Sequence, residues 1–255
     1  MKSALLLAAL SAACAQTPAF EVASIKPSDP GGAIAIRHSG HRIATTSTSL
    51  LFLITWAYDI HAGRLYGKPS WLDSVRYDVL AGASQDSRPV PPTPPGQPTH
   101  LQQMMQALLA DRFKLVIHRE TKELPMYALL VAKGGPKIRL REAPDVIGQS
   151  PFRMPGRGRL IGTEVSAEML AKVLSNQLGR SVEDQTALKG VFNFELEWEP
   201  DPSSARPDVM PASGLGAGAS LFTAVQEQLG LKLQARKGPV EVLVIDHIES
   251  VPTEN

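Results

Sequence analysis

Six histidines punctuate the chain, at positions 38, 41, 61, 100, 118 and 247, and some have neighbours that chemistry can use. His38 and His41 stand three apart in a glycine-flanked segment, from which two imidazoles can share a metal ion. No carboxylate or cysteine accompanies them, and neither H-E-x-x-H nor C-x-x-C occurs, so they read as two solvated loop histidines and no metal is expected. His118 and Glu120 flank Arg119 on a predicted strand and therefore share one face. A solvated strand face accounts for that pattern. Asp246-His247 falls in the last predicted strand, and serines are plentiful, but a Ser-His-Asp triad is defined by geometry rather than by order. The chain has no G-x-S-x-G elbow and no S-x-x-K. Asp78 and Glu195 occupy matching places in two similar stretches, opposite Tyr77 and Phe194. Paired carboxylates suit acid–base work; here they read as repeated solvent-facing strand positions. The glycine pairs at 31–32 and 134–135 precede no strand-to-helix phosphate loop, which leaves nucleotide cofactors without support.

The elements that must position these groups are organised around Leu101–Lys133, an amphipathic helix read as running into a two-stranded hairpin with a charged, proline-containing turn. Ser220–Glu249 repeats the design, with Leu231-Lys232-Leu233 lying 118 residues after Phe113-Lys114-Leu115. Earlier elements recur as well. Phe20–Lys26 and His41–Thr46 read as strands. Ser47 or Ser49 caps a helix carrying Leu50, Leu51, Ile54, Ala57 and Tyr58, with Gly63 as its end. At an offset of 117, Arg159 follows Arg42, Met169 follows Phe52, and the Phe194-Leu196-Trp198 alternation follows Tyr77-Val79-Ala81. A proline-rich loop, 88–99, faces a Pro/Gly/Ser-rich loop, 200–219, at the same point of the order. The pattern predicts an α+β protein of two tandem pseudo-repeats, 16–133 and 134–255, each with helices packed on a mostly antiparallel sheet.

Met1–Ala15 stands apart as a secretory signal peptide: Lys2, an apolar run, then Ala13-Cys14-Ala15 as the cleavage site. Cleavage removes the only cysteine, so the mature chain must fold without disulfides. Lipidation of Cys14 is the alternative, and the only route by which a membrane enters the reading. Loss of Lys2 leaves 25 basic and 25 acidic residues. No basic cluster interleaved with aromatics is present, which argues against a nucleic-acid partner.

Several short motifs bear a family likeness: Phe20–Pro27, Ala57-Tyr58, the Gly67-Pro69-Trp71 turn, Arg76-Tyr77-Asp78, Leu108–Phe113, Lys133–Lys137, Gly179-Arg180 with Val182, Asp184 and Thr186, and Val244-Ile245-Asp246. Over nearly the whole mature chain they resemble an uncharacterised family of exported proteins of the Solibacter type, expanded in soil acidobacteria, that carries a domain of unknown function. One departure is Thr186-Ala187-Leu188, where the family has Thr-Gly-Leu. Similar domains fused to membrane zinc-peptidase sensors of the penicillin-sensing type imply an extracytoplasmic sensing or docking role, and no known activity. The helix-hairpins are also similar to short periplasmic domains of secretins and TonB-dependent receptors, which bind other proteins.

Within this frame the aromatics of the first copy carry the functional expectation. Tyr58, Tyr66 and Trp71 stand where the second copy has Ser175, Glu183 and Leu188. What one copy carries alone is freer to serve partner binding. The competing reading has Tyr58 and Trp71 plugging the gap between half-domains. The function expected is an exported, periplasmic or extracellular, non-catalytic binding or sensing module without cofactor, its partner an envelope protein or small ligand. The alternative is an envelope hydrolase.

Overall fold

The computed structural model describes residues 18–29, 32, 34–83, 97–141, 151–156, 158–199 and 219–253. The leader Met1–Ala15 lies outside them, as do most of the 88–99 loop and nearly all of the 200–219 loop. In chain order the elements are β1 (Val22–Pro27), β2 (Ala35–Ser39), β3 (Arg42–Ser49), α1 (Leu50–Ala57), a 3-10 turn (Ala62–Arg64), β4 (Leu65–Tyr66), β5 (Arg76–Gly82), α2 (His100–Arg112) and β6 (Val116–Val131). There follow β7 (Leu140–Arg141), β8 (Phe152–Gly156), β9 (Arg159–Val165), α3 (Ala167–Leu178), β10 (Val182–Asp184), β11 (Val191–Glu197), α4 (Leu221–Leu229) and β12 (Leu231–His247).

Each helix begins on a hydroxyl that accepts an amide its first turn leaves without a partner. Ser49, Ser166 and Ser220 accept from Phe52, Met169 and Thr223, each at 3.2 Å. Thr99 and Gln102 form a reciprocal capping box. On α1, Leu50, Ile54 and Ala57 of the expected stripe face inward together with Leu53, while Leu51 and Tyr58 are only half-buried; α2 buries Met104, Met105, Leu108 and Leu109, and α3 Leu170 and Leu174. Helix α1 stops at Ala57, six residues short of Gly63, because Asp59 turns into the left-handed region (φ 56°). The carbonyls it leaves at Trp56 and Ala57 are taken by Gln102 and Gln106 of α2, at 3.0 and 2.8 Å.

The chain divides into two compact units, one drawn from residues 1–60, 67–117 and 245–255, the other from 61–66 and 118–244. In the first, an antiparallel sheet of order β1-β5-β3-β2 is lined by Ile43, Tyr77, Val79 and Ala81, all buried. In the second, an antiparallel sheet of order β7-β11-β9-β8 shares one apolar cluster with α3 and α4, including Leu160, Leu170, Phe192, Leu196, Val225 and Leu231. Gly162 of β9 seats the Phe194 ring, whose Cδ1 would lie 2.7 Å from any Cβ added there. A third sheet, of order β10-β6-β12-β4, contains two parallel pairs: Val182–Asp184 against Tyr127–Leu129, and Leu65–Tyr66 against Leu243–Val244. Among the described residues the protein is thus α+β, with four helices and three mostly antiparallel sheets.

Two expectations change. The segments read as hairpins are single long strands, β6 and β12, and their charged, proline-bearing middles are not turns. Arg119–Pro125 supplies no Gly or Asn for a two-residue turn, and alternating polar side chains sit comfortably on a solvated strand. Gly238 serves close approach rather than reversal: a Cβ there would lie 3.0 Å from Met126 Sδ. Strands β2 and β8 were not anticipated; each pairs as an edge with the strand that follows it.

The departure at Ala187 is resolved in favour of the turn. Asp184 Oδ1 accepts from Thr186 N (2.9 Å) and Thr186 Oγ1 (2.7 Å), and Leu188 N donates to Thr186 Oγ1 (3.2 Å). Ala187 itself is left-handed, φ 56°. An L-residue there costs about 1–2 kcal/mol, against an entropic cost of about 0.5–1 for glycine, so Ala187→Gly should stabilise by about 0.5–1 kcal/mol in urea denaturation. A loss of stability would show that the methyl group makes a contact worth more than the strain.

Candidate functional site

The groups singled out in the sequence remain apart. His41 lies in the turn between β2 and β3 with its ring perpendicular to His100 at 5.6 Å, and His38 lies 6.5 Å from the Trp56 ring. No cluster of three or more His, Cys, Asp or Glu side chains suited to a metal is found among the described residues. His118 Nε2 meets Glu120 Oε1 at 3.0 Å on an exposed face, where Lys122 also reaches the carboxylate at 2.9 Å. Those two partners, His118 first, hold the Glu120 carboxyl below its usual range. His247 pairs with Glu249 at 3.5 Å, also exposed.

Asp78 has a structural task. Its Oδ1 accepts from the amide of Ser47 at 2.8 Å, where β3 bulges at a positive φ of 50°. That bond, and then one from Ser28, hold its carboxyl below the usual range. In the second unit Asn193 Oδ1 does the same at 2.8 Å for Glu164, φ 53°. By role, the counterpart of Asp78 is thus the uncharged Asn193; Glu195 instead pairs with Arg159 on an exposed face. A neutral amide performing the same task speaks against acid–base work at Asp78.

The structure brings together a different set, all within the second unit. Helix α3 ends at Gly179, left-handed at φ 62°, and the chain returns through Arg180-Ser181 into β10, where Ser181 O accepts from Tyr127 N at 2.9 Å. Ser175 fixes this return: its buried hydroxyl accepts from Val182 N at 2.8 Å and donates to Ala171 O at 2.9 Å. Against it lies the 61–66 segment, whose Tyr66 end is anchored by the β4–β12 pairing. Gly63 makes the approach possible, since a Cβ there would fall 2.7 Å from Gly179 O. His61 Nε2 then lies 3.2 Å from Ser181 Oγ. Around the pair, a pocket of about 140 Å³ is lined by Gly63, Arg64, Tyr66, Leu124, Pro125 and Arg180.

Burial, and next the Arg64 guanidinium, push the His61 imidazole down to about 4, so the ring is neutral at neutral pH. Arg64 is held by Glu241, through Nε to the backbone oxygen at 2.6 Å and Nη2 to the carboxylate at 3.6 Å. Lys122 Nζ sits 4.6 Å above the Tyr66 ring. His61 Nδ1 is buried and meets no partner among the described residues. A serine and a histidine at this range are half of a nucleophile–base arrangement. A triad would set a carboxylate on Nδ1, and a base near pKa 4 accepts a proton poorly at neutral pH. Neutral imidazole, hydroxyl and guanidinium together suit recognition better than proton transfer.

Of the three aromatics, Tyr66 alone lines this pocket. Tyr58 and Trp71 belong to the first unit. Tyr58 forms the C-cap of α1, and half-buried Trp71 accepts from Ser74 N and Val75 N, each at 3.1 Å. A larger groove of about 440 Å³ runs along Ala132–Gly135 and Lys232, but Lys137 Nζ there donates to Glu227 O at 2.6 Å, closing the carbonyl end of α4. His61, Arg64 and Ser181 carry no site signature in the sequence apart from the neighbouring Gly179-Arg180 motif.

The family model described as a protein of unknown function (DUF3738) matches residues 52–248. No curated protein and no solved structure matches the chain significantly.

Proposed function

The chain belongs to the DUF3738 family of proteins of unknown function, and on that footing we propose that it is an exported, non-catalytic binding or sensing module of the cell envelope. The observation that carries this reading is the convergence of Tyr66, His61, Arg64, Arg180 and Ser181 on one pocket. An internal duplication makes sense of how that pocket arose. The orders β1-β5-β3-β2 and β7-β11-β9-β8 name corresponding strands, and Ser47 and Glu164, whose amides are held alike, lie 117 apart. At that offset His61 answers to Leu178, Arg64 to Ser181 and Tyr66 to Glu183. The copies thus differ where the pocket is, as a site built on a duplicated frame would require. Tyr58 and Trp71 are retained as further partner contacts.

Export through Met1–Ala15 places the module in the periplasm or outside the cell, with lipidation of Cys14 as the tethered form. The test is capture from the native envelope, using wild-type protein and Tyr66→Ala. The expected result is a partner retained by the wild type and lost by about tenfold or more in the variant, with the mature chain beginning at Gln16 or at a modified Cys14. Equal capture by both proteins removes Tyr66 from the reading, and an intact Met1 removes export. The hydrolase alternative draws on the 3.2 Å contact between His61 and Ser181. Turnover of a chromogenic ester, abolished by Ser181→Ala, would replace the module with that enzyme.

A further inference from the structure

We propose that the His61 pocket binds a single carboxylate group, with the Arg180 guanidinium and the Ser181 hydroxyl as its donors. This rests on the binding-module reading above and names the ligand chemistry of the same pocket.

Of the charges around the pocket, Arg64 is engaged by Glu241, which also pairs with Arg119. Lys122 is engaged by Glu120 and the Tyr66 ring. Arg180 differs: it is exposed, lies 6.0 Å from the Tyr127 ring, and meets no carboxylate within 4 Å among the described residues. The neutral His61 ring adds no charge at neutral pH. One uncommitted guanidinium matches one negative charge, a carboxylate rather than a phosphate dianion, and its planar fork fits two carboxylate oxygens.

The neutral ring also sets the polarity of Ser181. When Nε2 carries the proton and donates to Ser181 Oγ, the serine O–H is released to donate into the pocket. A volume of about 140 Å³ is similar to that of a cavity that holds one benzene-sized molecule, room for a carboxylate and a few carbons. Arg180 also follows directly on Gly179, the C-cap of α3, where a positive charge is favourable. That role requires a positive charge near the helix end, but not a pocket beside it, and the two roles separate on substitution.

Four probes test the assignment by calorimetry and by the NMR titration of the His61 ring: acetate, N-acetylglycylglycine, its C-terminal amide and inorganic phosphate. The acids should bind and the amide should not. Arg180→Gln should weaken the acids about tenfold or more, Ser181→Ala several-fold. Arg180→Lys, which keeps the charge but not the fork, should fall between Arg180→Gln and the wild type if the guanidinium itself recognises the ligand. Saturation with acid should raise the His61 midpoint, since a neighbouring anion favours the imidazolium. Tighter binding of the dipeptide acid than of acetate points to a chain terminus, and equal binding to a free small acid; both support the proposal. Equal binding of amide and acid, tighter binding of phosphate, an unaltered affinity in Arg180→Gln, or silence from every probe overturns it. Should the probes fail while Tyr66→Ala still loses its captured partner, the carboxylate falls and the module stands.

Discussion

Gly230→Ala should cost the second unit about 3–5 kcal/mol, because the added methyl group enters space held by backbone on two sides. Gly230 closes α4 in the left-handed region, φ 67°. A Cβ there would lie 2.7 Å from Lys137 N and closer still to Gly135 O. Neither atom can withdraw cheaply. Ala132 N donates to Gly230 O and Lys137 N to Leu229 O, each at 2.9 Å, so the Lys133–Lys137 loop is stitched to the end of the helix. Two other glycines separate the contributions. Gly179 has φ 62° but open space around its Cβ direction, so Gly179→Ala should cost only the left-handed term, about 1–2 kcal/mol. Gly134 has open space and no positive φ, and Gly134→Ala should stay within about 0.5 kcal/mol. Urea midpoints for the three variants should therefore fall in the order Gly134, Gly179, Gly230. If Gly230→Ala lost no more than Gly179→Ala, the close seat of the loop on α4 would be wrong.

Elements whose logic is local were legible. A hydroxyl before a stripe of leucines or methionines marks a helix start in any chain, and Ser49, Ser166 and Ser220 cap where such residues should. Alternation in Tyr77-Val79-Ala81 pointed to the buried face of β5. Pro125 and the charges at 119–123 have the composition of a turn and yet lie inside β6, because proline breaks a strand only where its missing amide is needed. The matching of Asp78 with Glu195 fails because a constant offset ignores the length of the connections. The bulges of β3 and β9 do lie 117 apart, but Val79 pairs with Thr45 whereas Phe194, only 115 residues further on, pairs with Gly162, which sets Asn193 where Asp78 stands. The pocket itself had no local signature. His61 and Ser181 are 120 residues apart, and their meeting depends on Gly63 passing close to Gly179 O. What the sequence did offer was the contrast at Tyr66, which the pocket includes, alongside Tyr58 and Trp71, which belong to another unit.

Phe113→Ala should be the corresponding lesion in the first unit, at about 3–5 kcal/mol for removal of a buried aromatic. Phe113 is 1% exposed and follows directly on α2 as its C-cap. Its ring meets Tyr77 edge to face, centroids 5.2 Å apart, a pairing worth about 0.5–1.5 kcal/mol beyond burial. The same two residues tie down the end of the chain: Phe113 O accepts from Glu249 N at 2.8 Å, and the Tyr77 hydroxyl donates to Ser250 O. Thr253 N adds a bond to Arg112 O at 2.8 Å. Loss of the ring should therefore do more than lower a midpoint. Once Tyr77 is unsupported, the amides of Glu249 and Thr253 should exchange with solvent faster than the amides of β3 and β5. Phe113→Leu, which keeps most of the volume, should cost no more than about 1.5 kcal/mol and leave those two amides protected. Tyr77→Phe isolates the polar half of the tie, leaving Ser250 O without its donor at a cost of about 1–3 kcal/mol. Equal protection of Glu249 and Thr253 in wild type and Phe113→Ala would mean that the terminal segment is held by other contacts, and that Phe113 supports the sheet alone.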